Sequence, residues 1–542
     1  MWFVAVVLVV LNSLLAEQLP WWSNAVYYRI LVDSFKDSDG DGLGDLQGTI
    51  KQLSYVRALG ADAVILSPIV TKSTDCRTPG PVDFTDIDVR YGNADKFNAL
   101  VEKAKKLELK LLVTLPLQTI SLSSEVFNLS AERRPGYEDK LVWRNGKEDE
   151  LPPDEEGVDK WIWHDGRAAY YGTANNEAIL NLCSEAVIAM FSDVQCTWLK
   201  RGVVGVVVNP DYNIDYDCSV QLVKKMVIAA MGCARNTNME PPVILVETSL
   251  GAEIGAKYYG GGSSGANSVI SYALAAPTRR SSPNLALDLH AAMLYPPQDT
   301  APTWTTSITN ESRIATRYGN EMVDGILLLA LTLPGAVLLH QGDELGAADT
   351  ILEWAETTEC WPTYAVASAA PFPWDDTPTA GFTSGQPWLP LATNYRYANA
   401  KTEYANEMSH VGVMRTAAAM RKSPAMGPHV EINRFGDALA ILRWGGAGSL
   451  LVVINLGLGQ TEVQLSKIPG LPQEMTIAAS SGGSSLSPGS HVNLEKLIKM
   501  ASGETVLLAG PPRHCGGPGP VDKITNKLSE GWQKLNKYFG NL

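Results

Sequence analysis

The chain has 542 residues, too many for one ordinary domain and enough to bury a large core. Its 45% hydrophobic and 19% charged residues are those of a folded globular protein rather than a disordered one. A formal net charge of −14 argues against a nucleic-acid partner, because phosphate binding needs a basic surface.

The first segment, residues 1–16, is an apolar run, WFVAVVLVVL, followed by NSLLA. It is shorter than the roughly 20 residues needed to cross a bilayer, and it ends at small Ala16 before Glu17. That pattern predicts a cleaved signal peptide and a secreted, extracellular protein. No later run is apolar for long enough to span, so membrane association is not expected. Next comes Asp37-Ser-Asp39-Gly-Asp41-Gly-Leu43-Gly-Asp45, which sets oxygen ligands at alternate positions of a glycine-rich turn. Hard Ca2+ takes six to eight oxygens, and glycines let the backbone wrap around it. Asp37, Asp39, Asp41, Leu43 and Asp45 are therefore the expected ligand positions of a structural Ca2+, against the alternative of a solvated acidic turn.

Short continuous apolar runs then mark buried parallel strands: Ala63 to Leu66, Lys110 to Leu115, Val203 to Val208, Val243 to Val246 and Ala336 to Leu339. Helical patterns such as Ala94 to Leu107 and Glu185 to Lys200 lie between them. Alternation of this length predicts an α/β fold, a (β/α)8 barrel over residues 17–118 and 179–424. Residues 119–178, rich in charge, Trp and Pro, read as a subdomain inserted after the third strand. From 425 to 510 the runs ALAILRW, SLLVVINL and ETVLLAG predict a C-terminal antiparallel β-domain. In the tail, 511–542, Ile524, Leu528, Trp532, Leu535 and Phe539 form one helical stripe. Such a helix docks on its own protein, or on a partner or membrane surface, since four Lys flank it.

Seven cysteines (76, 183, 196, 218, 233, 360 and 515) predict disulfides and at least one unpaired thiol. Cys183 with Cys196 and Cys218 with Cys233 are the local candidates, although spacing does not fix connectivity. Sequons at Asn128 and Asn310 permit glycosylation.

The acidic loop follows WWSNAVYYRILVDSF, and GDLQGTIKQLSYVRALGADAVILSPI, FTDIDVRYG, LPGAVLLHQGDELG and PWDDTPTAGFT come after it in order. Together these segments resemble the α-glucosidases of the α-amylase superfamily, glycoside hydrolase family 13, and most of all insect-type secreted maltases. The likeness runs from about residue 20 to about residue 505. A similar barrel forms the ectodomain of amino-acid-transporter heavy chains. The resemblance implies a retaining mechanism, in which a nucleophile and an acid/base carboxyl stand about 5–5.5 Å apart.

Matched residue by residue, that resemblance implies a damaged site. Asn209, ending Gly205-Val-Val-Val-Asn209, stands in the place of the nucleophile Asp, and Val207 in that of its supporting Arg. An amide cannot form the glycosyl ester. Asp211 and Asp215 are close in sequence but offset. Glu247 matches the acid/base. The third carboxylate and its His are replaced by Asn310 and Thr309, whereas Arg313 is kept. Thr114, Gln118 and Thr119 replace the polar set after the third strand. Loss of the nucleophile alone costs at least roughly 4 kcal/mol, or three decades of rate. The expectation is therefore a secreted, non-catalytic binding protein, not an enzyme. Its neutralised pocket would hold a small organic ligand, a carbohydrate or a protein partner. The alternatives are residual or altered α-glucosidase activity using Glu247, and a transporter heavy-chain-like ectodomain.

Overall fold

The computed structural model describes residues 20–513, apart from 76, 79, 149, 156, 211–215, 261–263, 277, 279–280, 298–299, 310 and 355–365. The signal-peptide segment, the tail helix, Cys76, Cys360, Cys515 and Asn310 therefore lie outside the described residues.

Eight parallel strands close into a barrel: β1 (Val26–Ile30), β2 (Ala63–Leu66), β3 (Lys110–Pro116), β4 (Gly205–Asn209), β5 (Val243–Glu247), β6 (Ser268–Ser271), β7 (Thr303–Thr305) and β8 (Ala336–His340). Each pairs with its sequence neighbours, and β1 closes the ring on β8, with Val26 opposite Val337. This is the α/β barrel that the apolar runs predict, and a C-terminal antiparallel sheet accompanies it. The period of two in the strands decides the packing. Tyr27, Ile65, Leu112, Val207, Leu245, Ile270 and Leu338 fill the barrel's interior, whereas Val26, Tyr28, Val64, Val206 and Val246 belong to the layer beneath the helices.

The helices start where the sequence supplies caps. The Asp45 side chain accepts from Gly48 N at 2.7 Å and opens α1 (Leu46–Ala58). Asn93 does the same for α2 (Ala94–Lys106), and Ser184 for α3 (Glu185–Lys200). Helix α4 (Tyr216–Thr237) packs beside α3, and two disulfides join them: Cys183–Cys218 and Cys196–Cys233. The local pairs Cys183–Cys196 and Cys218–Cys233 are thus not formed. Cys183 lies just before α3 and Cys196 near its C-terminal end, too far apart to bond, so each reaches the corresponding end of the parallel neighbour α4.

Between β3 and α3, strands at Thr119–Ile120, Trp143–Asn145, Lys160–His164, Ala169–Ala174 and Glu177–Ile179 form an antiparallel sheet with its own small core around Trp161 and Tyr170. Beyond the barrel helix α5 (Ser282–Leu294) come α6 (Val323–Thr332) and α7 (His410–Arg421). All ten residues of α6 are buried. Gly325 of α6 lies against Ile454 and Thr505 so closely that a Cβ would come within 2.4 Å of the Ile454 side chain. That contact seats the C-terminal sheet: β9 (His429–Phe435), β10 (Ala438–Trp444), β11 (Ser449–Asn455), β12 (Glu474–Ser480), β13 (His491–Asn493) and β14 (Thr505–Gly510), in the order 9-10-11-14-12-13. Among the described residues no helix is long and apolar enough to cross a membrane.

Candidate active site

In a parallel barrel, chemistry gathers where the strands end, and here four strands end on polar side chains facing one another. Arg29, the next-to-last residue of β1, and Glu247, the last of β5, meet across the mouth. Arg29 donates through Nη1 to Oε1 at 2.7 Å and through Nη2 to Oε2 at 2.8 Å. The two are only 3% and 6% exposed, so this is a buried bidentate ion pair rather than a surface contact. Burial works against the Arg29 charge, but Glu247 outweighs it and holds the guanidinium's pKa above its usual value.

Around this pair the positive charge is dense. Thr309 lies 3.5 Å from Arg29 Nη1, and Arg313 donates to the Gln341 carbonyl at 2.6 Å. His340, at the end of β8, is buried, and its pKa is pushed well below the usual value by burial and then by Arg29, Arg313 and Arg317. Its ring is therefore neutral, with Nε2 buried and without a hydrogen-bond partner. Behind it, Asp343 accepts from Thr306 at 2.6 Å and Ser307 at 3.0 Å, with its carboxyl raised by burial. Glu344 accepts from Tyr28 at 2.7 Å and from Tyr55 at 3.0 Å. Burial raises Glu344 to about 7 despite those two donors.

On the opposite wall, Asn209 ends β4, and its side-chain oxygen accepts from Gln118 Nε2 at 2.9 Å. Val207 sits one layer lower, fully buried in the barrel's interior, where an apolar residue packs well. The Thr114 hydroxyl is buried without a partner. Thr119 donates to Glu177 of the inserted sheet, outside this cluster. The structure thus brings Gln118 to Asn209, and Thr309 to the Arg29–Glu247 pair, with Arg313 behind them. Glu311 is exposed, and Asn310 lies outside the described residues. Asn128 is on the exposed side of the helix Glu125–Ala131.

Sequence reasoning missed Arg29, His340, Asp343 and Glu344. An Arg inside the apolar run VYYRI was the one available signal, since a charge in a two-sided buried strand needs a partner. Only the closed barrel identifies that partner as a residue 218 positions away.

Beside the mouth, a cavity of about 320 Å3 begins at Thr248, directly after Glu247, and is walled largely by alanines of the β6 end and α5. A smaller pocket of about 10 Å3 lies at the Thr309–His340 side, lined also by Arg313, Gln341 and Asp343.

Away from the mouth, carboxylate oxygens of Asp37, Asp39 and Asp45 lie within 4.8 Å of one another. That separation suits oxygens around one Ca2+, which binds each at about 2.3–2.6 Å. Asp41 is not in that group. Its side chain accepts from Leu43 N at 2.8 Å, and burial followed by the charges of Asp39, Asp37 and Asp45 raises its pKa. The three clustered carboxylates are hard oxygen donors at a spacing that fits such a cation. The loop is fixed by Thr383, which donates to Asp37, and by Gly42, whose φ of +94° lets the backbone turn against Gln386.

The family model for the alpha amylase catalytic domain matches residues 29–214 and 263–427. Maltase 1 of Drosophila virilis is 28% identical, across 85% of this chain and 83% of its own length. The salivary alpha-glucosidase of Aedes aegypti is 25% identical, across 94% of this chain and 97% of its own. Among solved structures, that of the alpha-glucosyl transfer enzyme XgtA superimposes with a TM-score of 0.77 at 25% identity, over 91% of this chain and 100% of that one. These findings correct the expectation of a non-catalytic binding protein that is not an enzyme. Similar proteins along nearly the whole chain are named as maltase and alpha-glucosidase, and nothing in these comparisons points to binding without catalysis. The expectation inferred loss of catalysis from neutral residues matched at Asn209, Val207, Thr309, Asn310, Thr114, Gln118 and Thr119. The mouth nevertheless keeps a buried carboxylate, Glu247, with a dedicated cationic partner.

Proposed function

Because the chain belongs to the alpha-amylase family, we propose that it is an enzyme acting on α-glucosidic bonds, with Glu247 as its working carboxylate. The observation that carries this reading is the buried pair of Glu247 and Arg29 at the ends of β5 and β1. Burying two charges is unfavourable unless their geometry is well matched, and a hydrophobic pair would fill the space as well. A carboxylate fixed in the barrel mouth is what glucoside chemistry uses. In this reading Asn209, an amide that forms no glycosyl ester, leaves water as the attacking group at the end of β4. Gln118 fixes the Asn209 amide, which supplies polar contact without charge.

The purified protein is expected to release p-nitrophenol from p-nitrophenyl α-glucoside. Glu247→Gln should lower kcat/KM by about a thousandfold, or roughly 4 kcal/mol. Release no faster than in buffer would overturn the reading. The same proposal extends to a structural Ca2+ on the Asp37–Asp45 loop and to export through the leader at 1–16. Oxygen spacing supports the first, and the two disulfides support the second.

A further inference from the structure

The crossover from β5 to β6 carries only a five-residue helix, Gly251–Gly255, and a short 3-10 turn, Ala256–Tyr258. The crossovers on either side carry α4, with 22 residues, and α5, with 13. So short a helix leaves part of the outer face of β6 uncovered, and the side chains around the gap are small: Ala252, Ala256, Ala273, Ala291 and Ala292. The gap is the cavity of about 320 Å3 that begins at Thr248. Val269, from the layer beneath the helices, lines it, and Glu247 does not, so it runs in the barrel wall and not in the mouth. Ser249 and Gly251 of its lining are exposed, so it reaches the surface. Leu250, between those two, and Leu294 and Tyr295, just before the lining residue Pro296, are exposed as well. An apolar opening onto a largely apolar cavity of this size is how small-molecule sites are built.

Thr248, Ser249, Ser271, Tyr272 and Asp288 interrupt that apolar wall. The Thr248 hydroxyl oxygen accepts from Leu250 N at 3.2 Å, and that of Ser271 from Ala273 N at 3.4 Å. A hydroxyl that accepts in this way still has its proton to donate, and no described residue accepts from either one. The wall therefore offers hydrogen-bond donors to an incoming oxygen. Among the described lining residues there is no Lys, Arg or His, and Asp288 is acidic. An anion would find no counter-charge there, and burying one unpaired is costly.

We propose that this cavity is a second binding site, separate from the mouth, for a compact neutral molecule that is mainly apolar and carries a carbonyl oxygen: a ketone, an ester or a lactone. Its apolar body occupies the space between the alanines, and its carbonyl oxygen accepts from Thr248 or Ser271. Binding is non-covalent and involves no group of the Arg29–Glu247 pair, so it stands or falls apart from the glucosidic activity.

The test is calorimetric titration of the full chain with three probes of similar size: acetophenone, ethylbenzene and benzoate. Acetophenone should bind about fivefold more tightly than ethylbenzene, the margin that one hydrogen bond supplies, and benzoate should bind most weakly. Thr248→Val combined with Ser271→Ala should bring acetophenone down to the affinity of ethylbenzene. Ala292→Phe, and Ala252→Leu on the partly exposed wall, fill the cavity. Each, shown by circular dichroism to be folded, should weaken acetophenone at least tenfold. Glu247→Gln should leave its affinity unchanged. Equal binding of acetophenone and ethylbenzene, or tighter binding of benzoate, overturns the ligand class. No binding of any probe overturns the site, as does acetophenone binding that survives both filling variants. Binding lost in Glu247→Gln would put the probe in the mouth and overturn the site as well.

Discussion

Replacing Glu247 by Leu removes one half of a bidentate pair whose members are 3% and 6% exposed. Arg29 would remain buried in a mouth that already holds the charges of Arg313 and Arg317, which together with the larger effect of burial keep His340 neutral. Leaving such a charge uncompensated costs about 3–5 kcal/mol. Unfolding entropy is about 2.1 cal/mol/K per residue, so a chain this long shifts in Tm by about 1 °C for each kcal/mol. A fall of about 3–5 °C is therefore expected for Glu247→Leu, and a similar fall for Arg29→Met. The double variant removes both charges together and fills the space with apolar atoms, so it should melt within about 1 °C of the parent. The assay is thermal unfolding followed by tryptophan fluorescence at fixed pH and salt, run on the four proteins of the cycle. The reasoning is refuted if the single variants melt like the parent, or if the double variant falls by the sum of the two.

Glu344 gives a pH dependence with a definite sign. Its folded-state pKa, about 7, lies above the ordinary 4.5, so its contribution is fully present below pH 4.5 and is lost as pH rises through about 7. That interval corresponds to about 3 kcal/mol, and Asp343, also raised, acts in the same direction. Glu344→Gln should flatten the decline in stability between those limits; a slope equal to the parent's would show that the carboxyl is not neutral when folded. For the disulfides, tryptic mapping without reduction should give peptides joining Cys183 to Cys218 and Cys196 to Cys233. Removing the first, which closes a separation of 35 residues, should cost about 4 kcal/mol by loop entropy. A peptide joining Cys183 to Cys196 would contradict the arrangement. Calorimetric titration of chelator-treated protein with Ca2+ should show one site that Asp37→Asn weakens at least tenfold, and a flat trace would remove the metal from the Asp37–Asp45 loop.

Much of the architecture was legible in the chain itself because its signals are local. AVIL and VILV are strands since a parallel strand covered on both faces must be apolar at every position. Asp45, Asn93 and Ser184 announce helices since one side-chain oxygen there satisfies an otherwise orphaned N–H. Even the ends of the strands, and hence Asn209 and Glu247, could be found by counting along those runs.

What the tertiary structure alone decided was which distant groups share a dielectric. Arg29 is an anomaly in VYYRI until the barrel closes and sets it against Glu247. Glu344 is an ordinary acid in HQGDELG until Tyr28 and Tyr55 seal it from water. The cysteines likewise choose partners across two helices and not along one. Apolar periodicity is written along the chain because burial acts on each residue separately. Charge pairing is not, because Coulomb energy depends on distance through space and on how much water the fold has removed from between the groups.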